Sequence, residues 1–124
     1  MLQLYFTGRS VALRFAKTYP VALLARNPDN YESIVKEIKA AGGQAIGIAT
    51  DISSESAVKS AFAEIEKEFK GKKLAAAIFN VGGRFVRKPF LEMSLEEYEA
   101  GYIANGYAVY VPASFLNYAN AIGN

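Results

Sequence analysis

The feature that most constrains this sequence is an alternation of two hydrophobic periods, one suited to helices and one to buried strands. After Gly8, Val11, Ala12, Phe15, Ala16 and Tyr19 recur at spacings of three and four and fall on one face of a helix that Pro20 ends. Val21-Ala22-Leu23-Leu24-Ala25 follows as an apolar run without alternation, the pattern of a strand covered on both faces. Asn27-Pro28-Asp29-Asn30 is turn chemistry, and Asp29 with Glu32 forms a capping box for a second helix. That helix carries Tyr31, Ile34, Ile38 and Ala41 on one face and stops at Gly42-Gly43, where a left-handed cap suits glycine.

The alternation continues. Gln44 to Thr50 reads as a strand, and Ser53 or Ser54 caps a long helix with an inner stripe of Val58, Phe62, Ile65 and Phe69. Leu74 to Phe79 reads as a third short strand running into Asn80-Val81-Gly82-Gly83. Ser94 and Glu97 make a second capping box, opening a helix through Tyr98, Tyr102 and Ile103 to about Asn105, and Ala113 to Ala121 reads as a final helix after Pro112. Strands separated by helical segments of this length pair in parallel, since each crossover returns to the same sheet. The expected fold is a doubly wound, Rossmann-like, three-layer α/β sheet, mostly parallel and incomplete, in one domain over residues 1–124.

Composition narrows the function classes. With no cysteine and no histidine among the 124 residues, disulfides, thiolate chemistry, a Ser-His-Asp triad and the usual zinc sites are excluded, and no metal is expected. The 14 basic and 12 acidic side chains are spread along the chain, so no nucleic-acid surface is expected. Lys70, Lys72 and Lys73, just after Glu64, Glu66 and Glu68, read as a solvated helix end and turn. No stretch has the length of a signal peptide's apolar core or a membrane span, which makes a cytoplasmic protein the expectation.

Five short signals stand in register: Thr7-Gly8-Arg9-Ser10 at the head of the first helix, Arg26 at the end of the first strand, Ala49-Thr50-Asp51 at the end of the second, Asn80-Val81-Gly82-Gly83, and Asn105. Together, over Thr7 to Asn105, they resemble the short-chain dehydrogenase/reductase family, amino-terminal half only. The resemblance implies a dinucleotide site. Gly8 matches the last glycine of that family's phosphate-binding turn, although Leu4-Tyr5-Phe6 stand where earlier glycines belong; an ordinary turn glycine is the other reading. Arg26 stands where an acidic residue selects NAD, so the resemblance implies NADP (NADPH), its 2′-phosphate held by the guanidinium, with Arg9 a second positive charge; solvated arginines are the alternative. Asp51 resembles the aspartate that accepts from the adenine amino group, or else caps the next helix. Asn80, Val81, Gly82 and Gly83 match the segment where small residues let backbone approach the cofactor ribose. Asn105 resembles the asparagine of the family's proton relay, or simply ends its helix.

Family chemistry passes hydride between the nicotinamide and a carbonyl or alcohol, with a tyrosine as acid/base, a lysine lowering its pKa and a serine orienting substrate. Its Tyr-x-x-x-Lys hallmark is missing: Tyr31, Tyr98, Tyr107 and Tyr118 are followed at the fourth position by Val35, Tyr102, Val111 and Ile122. The expectation is therefore an oxidoreductase fragment inactive by itself, or else a non-catalytic nucleotide-binding or regulatory module that pairs with a full-length relative. In the family the first strand is central, between the strand before Arg26 and the strand before Asn80. Met1 to Phe6 has strand-like composition and either fills that place, with Gln3 awkwardly buried, or leaves a gap in the centre of the sheet; in both cases the strand leading to Asn80 is left as an exposed edge for homo- or hetero-association.

Overall fold

Val21–Ala25 (β1) and Ala45–Ala49 (β2) pair in parallel, Val21 opposite Ala45 and Ala25 opposite Ala49, in the computed structural model, which describes residues 2–82 and 86–107. Val21 N–H donates to the Gln44 carbonyl (2.9 Å) and Thr50 N–H to the Ala25 carbonyl (2.9 Å), so the ladder runs one bond past each end. The helices Leu2–Phe15 (α1) and Glu32–Ala40 (α2) pack on this pair. Their shared core is Ala12, Ile34, Ile38 and Ala45, with Leu13, Ala16, Val21, Leu23 and Val35 against it. Ala12, Ala16, Ile34 and Ile38 are among the positions that the helical spacing selects, whereas Phe15, Tyr19 and Ala41 of the same expected faces are exposed, because the sheet beneath them is only two strands wide.

Glycine closes α2 in the expected way. Gly42 adopts φ +83°, its N–H reaching the Lys39 carbonyl (3.0 Å), while Gly43 N–H reaches the Ile38 carbonyl (2.9 Å). This is the Schellman arrangement, which satisfies carbonyls that the helix end would otherwise orphan. A third glycine has a packing reason: a Cβ on Gly47 of β2 would fall 2.0 Å from the buried Tyr31 ring, so the ring lies flat against the strand.

The helix starts depart from expectation in one case. Asp29 and Glu32 form no capping box, because Pro28–Asn30 makes a separate 3-10 turn whose cap is Asn27, its Oδ1 accepting Asp29 N–H at 3.0 Å. Tyr31 then precedes α2 without any side-chain cap. Of the two serines proposed for Glu55–Glu68 (α3), Ser54 is the cap, accepting Ala57 N–H at 3.4 Å. Val58 and Ala61 are the buried residues of α3, with Phe62, Ile65 and Phe69 half-buried. The Ser94/Glu97 box forms in full ahead of Leu95–Tyr102 (α4), Ser94 N–H donating to Glu97 (2.8 Å) and Glu97 N–H to Ser94 (3.2 Å). One turn of π-helix, Ile103–Tyr107, continues α4 past Asn105.

Two larger differences are linked. α1 starts at Leu2 rather than after Gly8, so residues 2–6 are helical and do not supply the central strand. Leucine and glutamine are good helix formers, and a strand placement would have buried the Gln3 amide. With that neighbour wound into α1, residues 74–79 join no sheet among the described residues, which leaves the sheet with β1 and β2 only. A strand needs a ladder partner for its backbone groups, and the third expected strand lacks one. All six of its side chains are exposed. The expected helix after Pro112 lies outside the described residues, and no helix among those described is long and apolar enough to cross a membrane.

Candidate functional site

Parallel strands end together, so the residues that follow them are neighbours. Arg26 directly follows β1 and Asp51 comes two residues after β2; the Thr50 N–H to Ala25 carbonyl bond ties the two exits side by side. Both side chains are exposed, and Arg26 is the least of the influences on the Asp51 carboxyl. Between them Thr50 is buried, its hydroxyl donating to the Ile48 carbonyl at 3.2 Å.

Asp51 is held more closely by its own turn than by Arg26. Its Oδ1 accepts both the Ser53 hydroxyl (2.6 Å) and the Ser53 N–H (2.9 Å). These bonds, the hydroxyl first, hold the carboxyl below its usual pKa against a small opposing effect of burial, with the Arg26 cation a lesser contributor. The Asp51 carboxylate does not cap α3, since Ser54 fills that role. Ser53, which the sequence offers only as a candidate cap, is instead bound to Asp51, and the Asp-x-Ser spacing of an Asx-type turn is the signal for it.

A second pair forms between Gly8 and Asn80. A Cβ on Gly8 would lie 3.0 Å from Asn80 Nδ2, so the absence of a side chain at position 8 makes room for that amide. Asn80 is half-buried, with Val81 and Gly82 exposed beyond it; Gly83 lies outside the described residues. Gly8 itself sits inside α1 and not in a turn. Its N–H, six residues past the first helical position, belongs to the helix ladder, and no helix N-terminus opens there. Ala16, near the other end of α1, has its carbonyl 3.2 Å from a Cβ position on Gly43, below the start of β2. Gly8 is eight residues and therefore about 12 Å away along the helix, toward the strands' carboxyl ends.

Arg9 is engaged by a neighbouring helix. Its Nη2 binds both carboxylate oxygens of Glu37 on α2, at 2.9 and 2.6 Å, an exposed ion pair that clips the two helices together. Asn105 donates from Nδ2 to the Gly101 carbonyl one turn back (2.9 Å), at the point where α4 widens into its π-turn. Such insertions recur at functional sites. No group of three His, Cys, Asp or Glu able to hold a metal occurs among the described residues.

The sequence matches the short chain dehydrogenase family over residues 7–115. It is 36% identical over 90 residues to a 1,6-dihydroxycyclohexa-2,4-diene-1-carboxylate dehydrogenase of Acinetobacter baylyi, a match covering 73% of this chain and 34% of that protein. Among solved structures it is similar to a 3-ketoacyl-ACP reductase of Sinorhizobium meliloti, with TM-score 0.80, 25% identity, and 90% of this chain against 44% of the other. It is also similar to a 7α-hydroxysteroid dehydrogenase complexed with NADH and 7-oxo glycochenodeoxycholic acid, with TM-score 0.78, 25% identity, and 88% of this chain against 42% of the other. The chain thus spans about a third of the length of that curated relative and less than half of these structures.

Proposed function

The chain belongs to the short-chain dehydrogenase/reductase family, and from that premise we propose that it carries the adenosine half of an NADP(H) site without being a competent oxidoreductase by itself. The observation that carries this reading is the side-by-side placement of Arg26 and Asp51 just past the ends of two adjacent parallel strands, where α/β folds of this type bind nucleotides. Arg26 would hold the ribose 2′-phosphate and Asp51 would accept from the adenine amino group.

The rest of the cofactor fits less well. A pyrophosphate needs backbone N–H groups at a helix start, whereas α1 runs unbroken through Gly8 and Arg9 is engaged by Glu37. Gly8 and Asn80, with Val81, Gly82 and Gly83, would line the middle of the dinucleotide only after that helix had opened, and Arg9 would have to leave Glu37 to meet a phosphate. When bound, the cofactor supplies hydride exchange with a carbonyl or alcohol. Asn105 is the one candidate for the proton relay in this chain, and no Tyr-x-x-x-Lys accompanies it.

A second reading is a regulatory module that pairs with a full-length relative through the segment that no sheet of its own takes up. The exposed apolar segment 74–79, with Leu74, Ile78 and Phe79 uncovered, favours it.

The test of the first reading is titration with NADPH, NADH and adenosine 2′,5′-bisphosphate. A site of this kind binds NADPH and the bisphosphate and raises the thermal midpoint by mass action. Replacing Arg26→Asp is expected to weaken NADPH binding tenfold or more, roughly the value of one charge-assisted hydrogen bond, and to leave NADH little changed. Equal loss for both dinucleotides, or no NADPH binding by the unaltered chain, counts against it.

A further inference from the structure

We infer that Ser53 is a positioning residue for Asp51, fixing that carboxylate so that one oxygen faces the amino group of an adenine and rejects a purine that carries a carbonyl there. The inference rests on the reading of Asp51 as the adenine ligand.

The geometry is asymmetric. Oδ1 of Asp51 takes two bonds from Ser53, hydroxyl at 2.6 Å and N–H at 2.9 Å, while Oδ2 accepts none among the described residues. A carboxylate bound through one oxygen by two donors loses the rotation that would exchange its oxygens, so the second oxygen keeps one direction. Ser53 has no competing structural duty. The cap of α3 is Ser54, which accepts Ala57 N–H and contacts the Ser56 hydroxyl (3.1 Å), and Ser53 is exposed and outside the core.

The chemistry gives that orientation a use. The exocyclic amine of adenine donates, and an ionised carboxylate only accepts, so the two match. Hypoxanthine offers an oxygen at the same position, which sets acceptor against acceptor. Discrimination survives only while the carboxylate stays deprotonated and fixed; a protonated or rotating group can donate to the carbonyl or turn aside. An exposed aspartate is charged near neutrality in any case, so what the Ser53 bonds to Oδ1 add is the fixed direction of the carboxylate.

The experiment compares NADPH with its counterpart carrying hypoxanthine for adenine, by calorimetry on the intact chain. The unaltered chain is expected to prefer the adenine form about tenfold, the order of one hydrogen bond to a charged group. Ser53→Ala should cut that preference to about twofold, and Ser53→Thr, which keeps the hydroxyl, should retain most of it. Carbon-detected NMR of Asp51 gives a second readout that requires no ligand: its pKa should rise in Ser53→Ala and stay low in Ser53→Thr. An unchanged preference in Ser53→Ala, or an unmoved Asp51 titration, overturns the positioning role and leaves the adenine reading standing. Equal affinity of the unaltered chain for both dinucleotides, or no binding of either, is instead a failure of the adenine reading and takes this inference with it.

Discussion

Residues 2–69 and residues 74–107 are finished to different degrees. In the first region strand pairs with strand and helix packs on sheet, and all the buried residues among those described, from Ala12 to Ala61, belong to it. In the second, α4 packs mainly on its own continuation, no described residue is buried, and Phe90, Leu91, Leu95, Tyr98 and Tyr102 stand more than half exposed. Yet the second region has the better helix start, a complete capping box with Lys88 bonded to Glu97 at 2.6 Å, and an edge-to-face pair of Phe90 with Tyr98. Local chemistry can fold a segment's ends without a partner, whereas burial requires one.

The contrast can be broken most directly by paired truncations. Ile38→Ala is expected to cost about 3 kcal/mol, as for other buried isoleucines, while Ile78→Ala should change stability by less than about 0.5 kcal/mol, as at exposed positions. Comparable losses in chemical denaturation would mean that 74–79 is covered in solution and that the two regions are alike. Next in size, Gly47→Ala should cost about 2 kcal/mol because its methyl enters the Tyr31 ring, and the double variant with Tyr31→Leu should recover part of that. Ser94→Ala should cost about 1 kcal/mol where it is measured as helix content, and little in the global unfolding midpoint if α4 melts separately.

The smallest expected effect is one of pH. Folding lowers the Asp51 pKa below its ordinary 3.8, so Asp51 stabilises the native chain above that value and loses its contribution as pH falls through the native pKa. Glu97, lowered below 4.5 first by Lys88 and then by Ser94 N–H, behaves with the same sign. Acid unfolding curves of Asp51→Asn should therefore lie closer to the parent curve below about pH 4 than at neutrality, with a shift small enough to need replicate titrations.

Elements whose signals are local were legible in the sequence. The α2 stop at Gly42-Gly43, the Ser94/Glu97 box and the β1 and β2 runs follow from residue type and spacing alone. What failed was long-range: residues 74–79 have the composition of a strand, but their place depended on a neighbour that residues 2–6 do not supply. Asp29/Glu32 failed for a nearer reason, since Pro28 starts a turn that Asn27 caps first. The neighbouring places of Arg26 and Asp51 were readable because parallel strands bring their ends together, and Gly8 lies against Asn80; the roles of these residues are what we propose. Glu37 was invisible as the partner of Arg9, because it lies 28 positions away on another helix.

The early start of α1 has an electrical consequence. A helix carries its positive pole at its first turn, and here that turn is at Leu2, about 9 Å along the axis from Gly8. An anion resting beside Gly8 would meet the neutral middle of the dipole. Nucleotide attraction would then rest on exposed side-chain cations such as Arg26, whose field is screened within about 8 Å in physiological salt. Affinity measured in dilute buffer should accordingly fade as sodium chloride is added, more steeply than for a relative whose phosphates sit on a helix pole.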